Sequence, residues 1–272
     1  MDEVEWAKLT APVIRGIAAR AAATVLLPVG SLEQHGPHLP TITDTRTASE
    51  IAIRAARLCG DEPRCLVLPG MWTGLSEHHL PFGGTISLNY VEFAGVLRGV
   101  ARSLRAAGVG RLLVVNGHGG NVDPLAVACR ELAVEFGFPI VATTPWYIPG
   151  LKLGEIIETA ETAQHACEAE TSVMLAMMPA EVRRERLDEA VQQAPAAIHT
   201  PPGFSRFRSF SERAPVTGTI GDPRPASAPK GERILDRLAE GVVRAIRDEV
   251  LWQVPDAVWA PGRGQRTTAG RG

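Results

Sequence analysis

The sequence predicts an α/β fold, a mostly parallel sheet with helices packed on both faces. Short apolar runs alternate with longer amphipathic segments along most of the chain, the pattern of repeated βαβ units. Several of the longer segments stop at a glycine, as helices often do, and several of the apolar runs lead into loops rich in glycine and asparagine.

The elements follow in order. Residues 24–29 (TVLLPV) form a strand buried on both faces. Residues 47–58 read as a helix, with Asp44 or Thr45 near its N-cap. A second strand is expected at 65–68, and a helix at 91–107 stopped by Gly108. Residues 112–115 (LLVV) give a third strand, 123–136 a helix ended by Gly137, and 139–144 a fourth strand. Residues 168–177 and 230–251 have helical periodicity. The stretch 192–229 is rich in Pro, Ser, Arg and Gly, and is long for a structureless loop; a functional segment or an intersubunit arm is expected there. Residues 1–254 are expected to form one domain, and 255–272, poor in apolar residues, a disordered tail.

Composition removes several function classes. The 272 residues carry a formal net charge of -2, without the basic surplus of a nucleic-acid binder. The first residues, MDEVE, lack the basic and apolar regions of a secretory signal. No apolar run reaches the roughly 18 residues of a membrane span. A cytoplasmic protein is expected. Cys59, Cys65, Cys129 and Cys167 form no CxxC pair, which argues against a zinc ribbon or a thioredoxin-like site.

Chemistry-bearing residues gather in four places. The first is GSLEQHGPHLP followed by Asp44, directly after the first strand. Ligands of parallel α/β sheets bind at the carboxyl ends of strands. Glu33 and His35 are two apart and point the same way if extended. With Asp44 they make a carboxylate–imidazole–carboxylate set suited to Zn²⁺ or Mn²⁺, and Asp44 has two oxygens with which to bridge a pair of ions. Turn-capping acids and a surface histidine are the plainer alternative. His38 suits a structural place or the pocket edge. The second place is NGHGGN, where glycines let the backbone approach a ligand and His118 stands as a candidate metal ligand; an exposed His in a glycine turn is equally compatible.

The third place is HACEAETS, opening a helix. Glu170 is a metal ligand or a partner of the helix dipole, and His165 a proton carrier. Cys167 between them is a turn residue, or else the nucleophile of a cysteine hydrolase. The fourth place is GLSEHHLPFGGTISL. If that run is extended, His78 and His79 face opposite sides, so the two do not share one ion; His78 is expected to line a pocket, and His79 either lines it or sits in a surface loop.

Four segments, PVGSLEQHGPHLPTITDT, GLSEHHLPFGGTISL, VVNGHGGN and QHACEAETSVML, stand in this order between residues 27 and 175. Together they resemble the creatininase (creatinine amidohydrolase) family, and GTIGDP at 218–223 looks like a further family segment. The resemblance implies a three-layer α/β/α sandwich, two divalent ions per chain (Zn and/or Mn), and a homo-oligomer, possibly a hexamer. It implies metal ligands at Glu33, His35, Asp44, His118 and Glu170, with Asp44 bridging. It also implies His165 as the catalytic histidine and a pocket that includes Ser76 and Trp146. Gly119 and Gly120 replace a Tyr and a Glu of true creatininase, and Glu161 stands where that enzyme has a tryptophan. The chain is therefore placed in another branch, with some similarity to the mycofactocin-maturation peptidase, although that enzyme has a Gly where Cys167 stands.

The expected activity is hydrolysis of an amide-type C–N bond by a metal-bound hydroxide, with His165 protonating the leaving nitrogen. The substrate is a small molecule or a short peptide; a mycofactocin-type precursor-peptide peptidase is the alternative within the family. A non-catalytic protein binding a small ligand beside structural metals is the rival from another class. Two His and three carboxylates shared by two ions leave open positions, which favours the enzyme.

Overall fold

The computed structural model describes residues 3–20, 22–193 and 205–254. The expected tail at 255–272 lies outside them. Four parallel strands, β1 (Thr24–Val29), β2 (Cys65–Val67), β3 (Arg111–Asn116) and β4 (Ile140–Thr143), form a sheet of order β2-β1-β3-β4. Pleating sends alternate residues to opposite faces. Leu26, Val67, Leu113 and Val115 enter one core, and Val25, Leu27, Leu66, Leu112 and Val114 the other. Both faces are apolar because both are covered, which makes β1 an unbroken hydrophobic run.

Helices α2 (Thr43–Cys59), α5 (Glu168–Met177) and α7 (Ala228–Arg247) cover the first face; α1 (Ala11–Ala18), α3 (Tyr90–Ala106) and α4 (Val122–Phe136) cover the second. The short α6 (Leu187–Ala190) lies between α5 and α7 in the chain. This is the expected three-layer α/β/α sandwich. Helix α3 starts with a capping box, Asn89 and Glu92 each accepting the other's backbone N–H. Helix α4 ends on Gly137, whose φ of 67° is the left-handed cap conformation. Helices α5 and α7 cross closely at Gly231, where a Cβ would overlap the Ser172 backbone.

Several boundaries differ from expectation. Helix α1 was not expected at all; at eight residues, with Pro12 in its first turn, it carries too short a periodic signal. Helix α2 begins at Thr43, so Asp44 lies inside its first turn rather than at its cap. Helix α7 stops at Arg247, and a 3-10 turn, Glu249–Trp252, completes the segment. No helix among the described residues is long and apolar enough to cross a membrane.

Strand β1 runs between β2 and β3. The chain leaves β1 toward one side and returns on the other, so the loops after β1 and β3 diverge and open a crevice at the strands' carboxyl ends. Those two loops carry the first two groups of candidate residues.

Candidate functional site

Loop 30–35 leaves β1 and is held by its neighbours: Asn121 Nδ2 donates to Gly30 O (3.0 Å), and Gly117 N to Val29 O (2.8 Å). Glu33 and His35 both turn into the crevice and are 1% exposed. His35 Nδ1 contacts Glu33 O (3.2 Å), which leaves Nε2 facing inward. Helix α2 brings Asp44 from its first turn. Asn116 holds the NGHGGN turn from within, accepting from His118 N (3.1 Å) and donating to His118 O (2.7 Å). His118 Nε2 turns outward to Leu75 O (3.0 Å), so Nδ1 presents a lone pair to the crevice. At Gly120 a Cβ would strike the His118 ring and the Leu75 carbonyl, so a larger residue would displace that ligand face.

These groups converge on two points. His118 Nδ1 lies 3.0 Å from Glu33 Oε2 and 3.1 Å from Asp44 Oδ2. His35 Nε2 lies 3.1 Å from Asp44 Oδ1 and 3.8 Å from Glu170 Oε2. Asp44 thus gives one oxygen to each group. Although close, these pairs are not aligned as hydrogen bonds throughout: Glu33 Oε2, His35 Nε2 and Asp44 Oδ2 are buried without a hydrogen-bond partner. Buried polar atoms are rarely left so. Ligands about 2.1 Å from a tetrahedral ion lie roughly 3.4 Å from one another, the spacing found here. The donor set therefore fits divalent cations, and Glu33, His35 and Asp44 are close enough together to share one.

Glu170 comes from the first turn of α5. Ala166, at a φ of 53° that a non-glycine residue rarely adopts, aims its N–H at Glu170 Oε2 (2.5 Å). Burial raises the Glu170 carboxyl to about 7, with the Asp44 and Glu33 charges adding to it and His35 opposing. Burial pulls the His35 imidazole down, but Asp44, Glu170 and Glu33 outweigh it and lift His35 to about 10. Asp44 is pushed up by burial yet held well below the usual carboxylate range by His35 and His118. Opposite charges packed this tightly are the arrangement that a bound cation could complete.

His165 stands outside the two groups that share Asp44, yet its ring nitrogens lie within 4.8 Å of ligand atoms of His35 and Glu170, and of Glu33 and His79. Its Nε2 contacts Gln34 O (2.8 Å) and its Nδ1 faces Glu33 Oε1 at 3.8 Å. Burial, with His35 beside it, holds His165 well below the usual imidazole range. His38 is buried, bonded to Thr171 Oγ1 (2.8 Å), and braces α5 from behind.

His79, a pocket or surface residue by its sequence, is a central one. The segment Glu77–Phe82 winds as a 3-10 helix, so adjacent histidines no longer point to opposite sides. His79 Nε2 reaches Glu33 Oε1 (3.2 Å), and His79 Nδ1 reaches Gln34 Nε2 (2.9 Å). The Gln34 amide is oriented by the backbone: Oε1 accepts from Gly36 N (2.9 Å) and Nε2 donates to Gly218 O (3.1 Å). Its nitrogen therefore faces His79, which must accept at Nδ1 and donate from Nε2 to Glu33. His79 steers a carboxylate oxygen; in this tautomer it has no lone pair for an ion.

A cavity of about 220 Å³ opens above the cluster. Its lining includes Glu33, His118, His165 and Glu170, His78 and Trp146 as expected, and Gly119 and Gly120. Ser76 is a correction. It is fully buried and sits behind His118, its Oγ 3.2 Å from Nε2, so it supports the ring instead of lining the pocket. Sequence reasoning also missed Tyr147, Phe210 and Arg213. The last two come from the Arg- and Pro-rich stretch, whose described part folds onto this chain's own site: Phe210 stacks on His79 with ring centres 4.1 Å apart. Cys167 faces the core, its thiol pushed up to about 11 by burial, which disfavours a nucleophilic role.

Comparison with known proteins adds independent findings. The chain matches the family described as Creatininase, creatinine amidohydrolase, over residues 7–246. A mycofactocin precursor peptide peptidase from Mycobacterium ulcerans is 35% identical over 244 residues, covering 88% of this chain and 86% of that protein. Creatinine amidohydrolase from Pseudomonas putida is 32% identical over 274 residues, covering 92% and 96%. A crystal structure of creatinine amidohydrolase superposes with a TM-score of 0.75 at 30% identity, covering 92% of this chain and 98% of that one. Related creatininase structures include a Mn form and a mutant of Zn-Zn type, both at a TM-score of 0.74.

Proposed function

The chain belongs to the creatininase family, and from that premise we propose that it hydrolyses a C–N amide bond of a small molecule or short peptide at a two-cation centre. Glu33, Asp44 and His118 would hold one ion, and His35, Asp44 and Glu170 the other. The observation that carries this reading is Asp44, whose two oxygens each face a different imidazole at 3.1 Å. Divalent cations there would polarise the substrate carbonyl and make water a nucleophile near neutral pH.

The chain's own groups do the rest. Hydrogen bonds to Leu75 O and Glu33 O fix the two imidazole ligands in orientation. His79 holds Glu33 Oε1 in place. His165, anchored through Nε2 to Gln34 O, has Nδ1 turned toward the centre. There neutral Nδ1 can take the proton of the attacking water and pass it to the leaving nitrogen, since an amine departs poorly without one. Tyr147 and Trp146 line the cavity wall.

The cavity stands directly on the converging ligands, which supports catalysis over a closed structural metal site. Peptidase activity on a precursor peptide, as the name of the 35% identical relative suggests, is the second reading. Gly119 supplies no side chain to the cavity lining, and the backbone of Gly119 and Gly120 is what a peptide end would meet there. A homo-oligomer, with a hexamer as its expected form, is part of the proposal, and light scattering at micromolar concentration tests it. The central experiment is metal analysis of the purified protein, then a hydrolysis panel of creatinine, cyclic ureides, lactams, formamides and short peptides. Absence of bound metal, with no activation by Zn²⁺ or Mn²⁺, would refute the proposal.

A further inference from the structure

The cavity floor is built of carboxylates and imidazoles, yet one wall carries a permanent cation. Arg213 follows the 3-10 turn Phe210–Glu212 and lines the same cavity as Glu33, His165 and Glu170. Its guanidinium carbon lies 5.2 Å over the centre of the Phe210 ring. Phe210 is 2% exposed and meets the His165 ring at 4.6 Å between centres. One fixed aromatic ring therefore separates the guanidinium from the histidine beside the ligand cluster.

Arginines elsewhere on this chain find acids: Arg54 reaches Asp236, Arg98 reaches Glu135, and Arg224 reaches Asp222. Among the described residues Arg213 has no ion pair, and no other Lys or Arg lines the cavity. Desolvation and the nearby charge of Arg208 pull its pKa below the usual guanidinium value, with Tyr147 opposing, while the residue as a whole stays exposed. An exposed guanidinium without an ion pair, set in the cavity wall, can take up a negatively charged ligand group through charge-assisted hydrogen bonds. The planar guanidinium fork matches a carboxylate through two parallel hydrogen bonds. A single guanidinium balances one negative charge, which suits a carboxylate better than a phosphate monoester.

Resting on the hydrolytic reading above, we propose that Arg213 anchors a substrate carboxylate. Substrates of this chain then carry a free carboxylate a short spacer away from the C–N bond that is cut, as at a peptide's carboxyl terminus or in an N-acyl amino acid. Stacking on Phe210 fixes the guanidinium before the substrate arrives, so little side-chain freedom is lost on binding.

The test is calorimetric titration of the zinc-loaded protein with N-acetylglycylglycine and with its C-terminal amide. The wild type is expected to bind the acid about 10-fold or more tightly than the amide, the scale of a charge-assisted hydrogen bond. In Arg213→Gln that ratio should collapse toward one at unchanged zinc content, and Arg213→Lys should keep part of it. Equal binding of acid and amide by the wild type, no binding of the acid, or a ratio that survives in Arg213→Gln overturns the proposal. So does tighter binding of ribose 5-phosphate than of the acid. A protein that holds no zinc yet shows the Arg213-dependent ratio would refute the two-cation reading and leave the anchor standing.

Discussion

Asp44→Asn is the most direct probe of the shared carboxylate. The substitution keeps the side-chain shape, removes its charge, and exchanges one oxygen for an amide nitrogen that offers no lone pair. Oδ1 faces His35 Nε2 and Oδ2 faces His118 Nδ1, both at 3.1 Å, so both groups lose charge and one loses a ligand atom. Outer-shell changes around metals already weaken binding roughly 10- to 100-fold, and an inner ligand should cost at least the upper figure. Binding to the folded state alone stabilises by RT ln(1 + [L]/Kd), so a 100-fold weaker site forfeits up to about 2.7 kcal/mol per ion. For a chain of this size, 1 kcal/mol moves Tm by roughly 2–4 °C. The rise in Tm produced by Zn²⁺ should therefore shrink by roughly 5–10 °C for each site weakened. The assay is thermal melting of chelator-treated protein with and without added Zn²⁺, paired with elemental analysis. A variant that holds as much metal per chain as the wild type, and gains as many degrees from Zn²⁺, refutes the assignment of Asp44 as the shared ligand.

Three other perturbations separate the remaining roles. His165→Ala should lower kcat by roughly 10²- to 10⁴-fold while elemental analysis finds the metal content unchanged; loss of one ion per chain would make His165 a ligand. Gln34→Leu removes donors to His79 Nδ1 and Gly218 O, so it should destabilise the fold by about 1–3 kcal/mol and depress kcat more than it raises KM. Unchanged melting and kinetics would dismiss that hub. Lys230→Met strands Glu168, fully buried with Lys230 Nζ 2.5 Å from its Oε1. Three donors from Glu158 and Thr159 remain on Oε2, so the loss should fall near the low end for a broken buried pair, about 3 kcal/mol, read from denaturant unfolding.

The unbroken apolar runs of β1 and β3 and the periodicity of α3, α4 and α5 are properties of consecutive residues, and their positions matched to within one or two residues. Candidate ligands were legible for a similar reason. Glu33, His35 and His118 stand directly after strands, and a parallel sheet gathers the ends of its strands at one edge.

What the sequence could not supply were directions and partners set across distance. His79 lies 45 residues from Gln34, and His165 lies 131 from it; no local pattern links them. Adjacent histidines were assigned opposite faces on the assumption of an extended chain, and the 3-10 winding of Glu77–Phe82 removed that assumption. Ser76 has the residue type of a pocket hydroxyl, but the packing of two loops put it behind His118. Phe210 and Arg213 sit in a stretch without periodicity, and they reach the cavity only because that stretch folds back, with Ile220 N bonded to His165 O at 2.8 Å. Sequence alone determined the four strands, the long helices and which chemical groups stand at the strand ends, though not α1, because strand-end placement follows from chain order. Tertiary structure alone decided which lone pair each imidazole offers and which charge is left unpaired, because hydrogen bonds between distant loops set both.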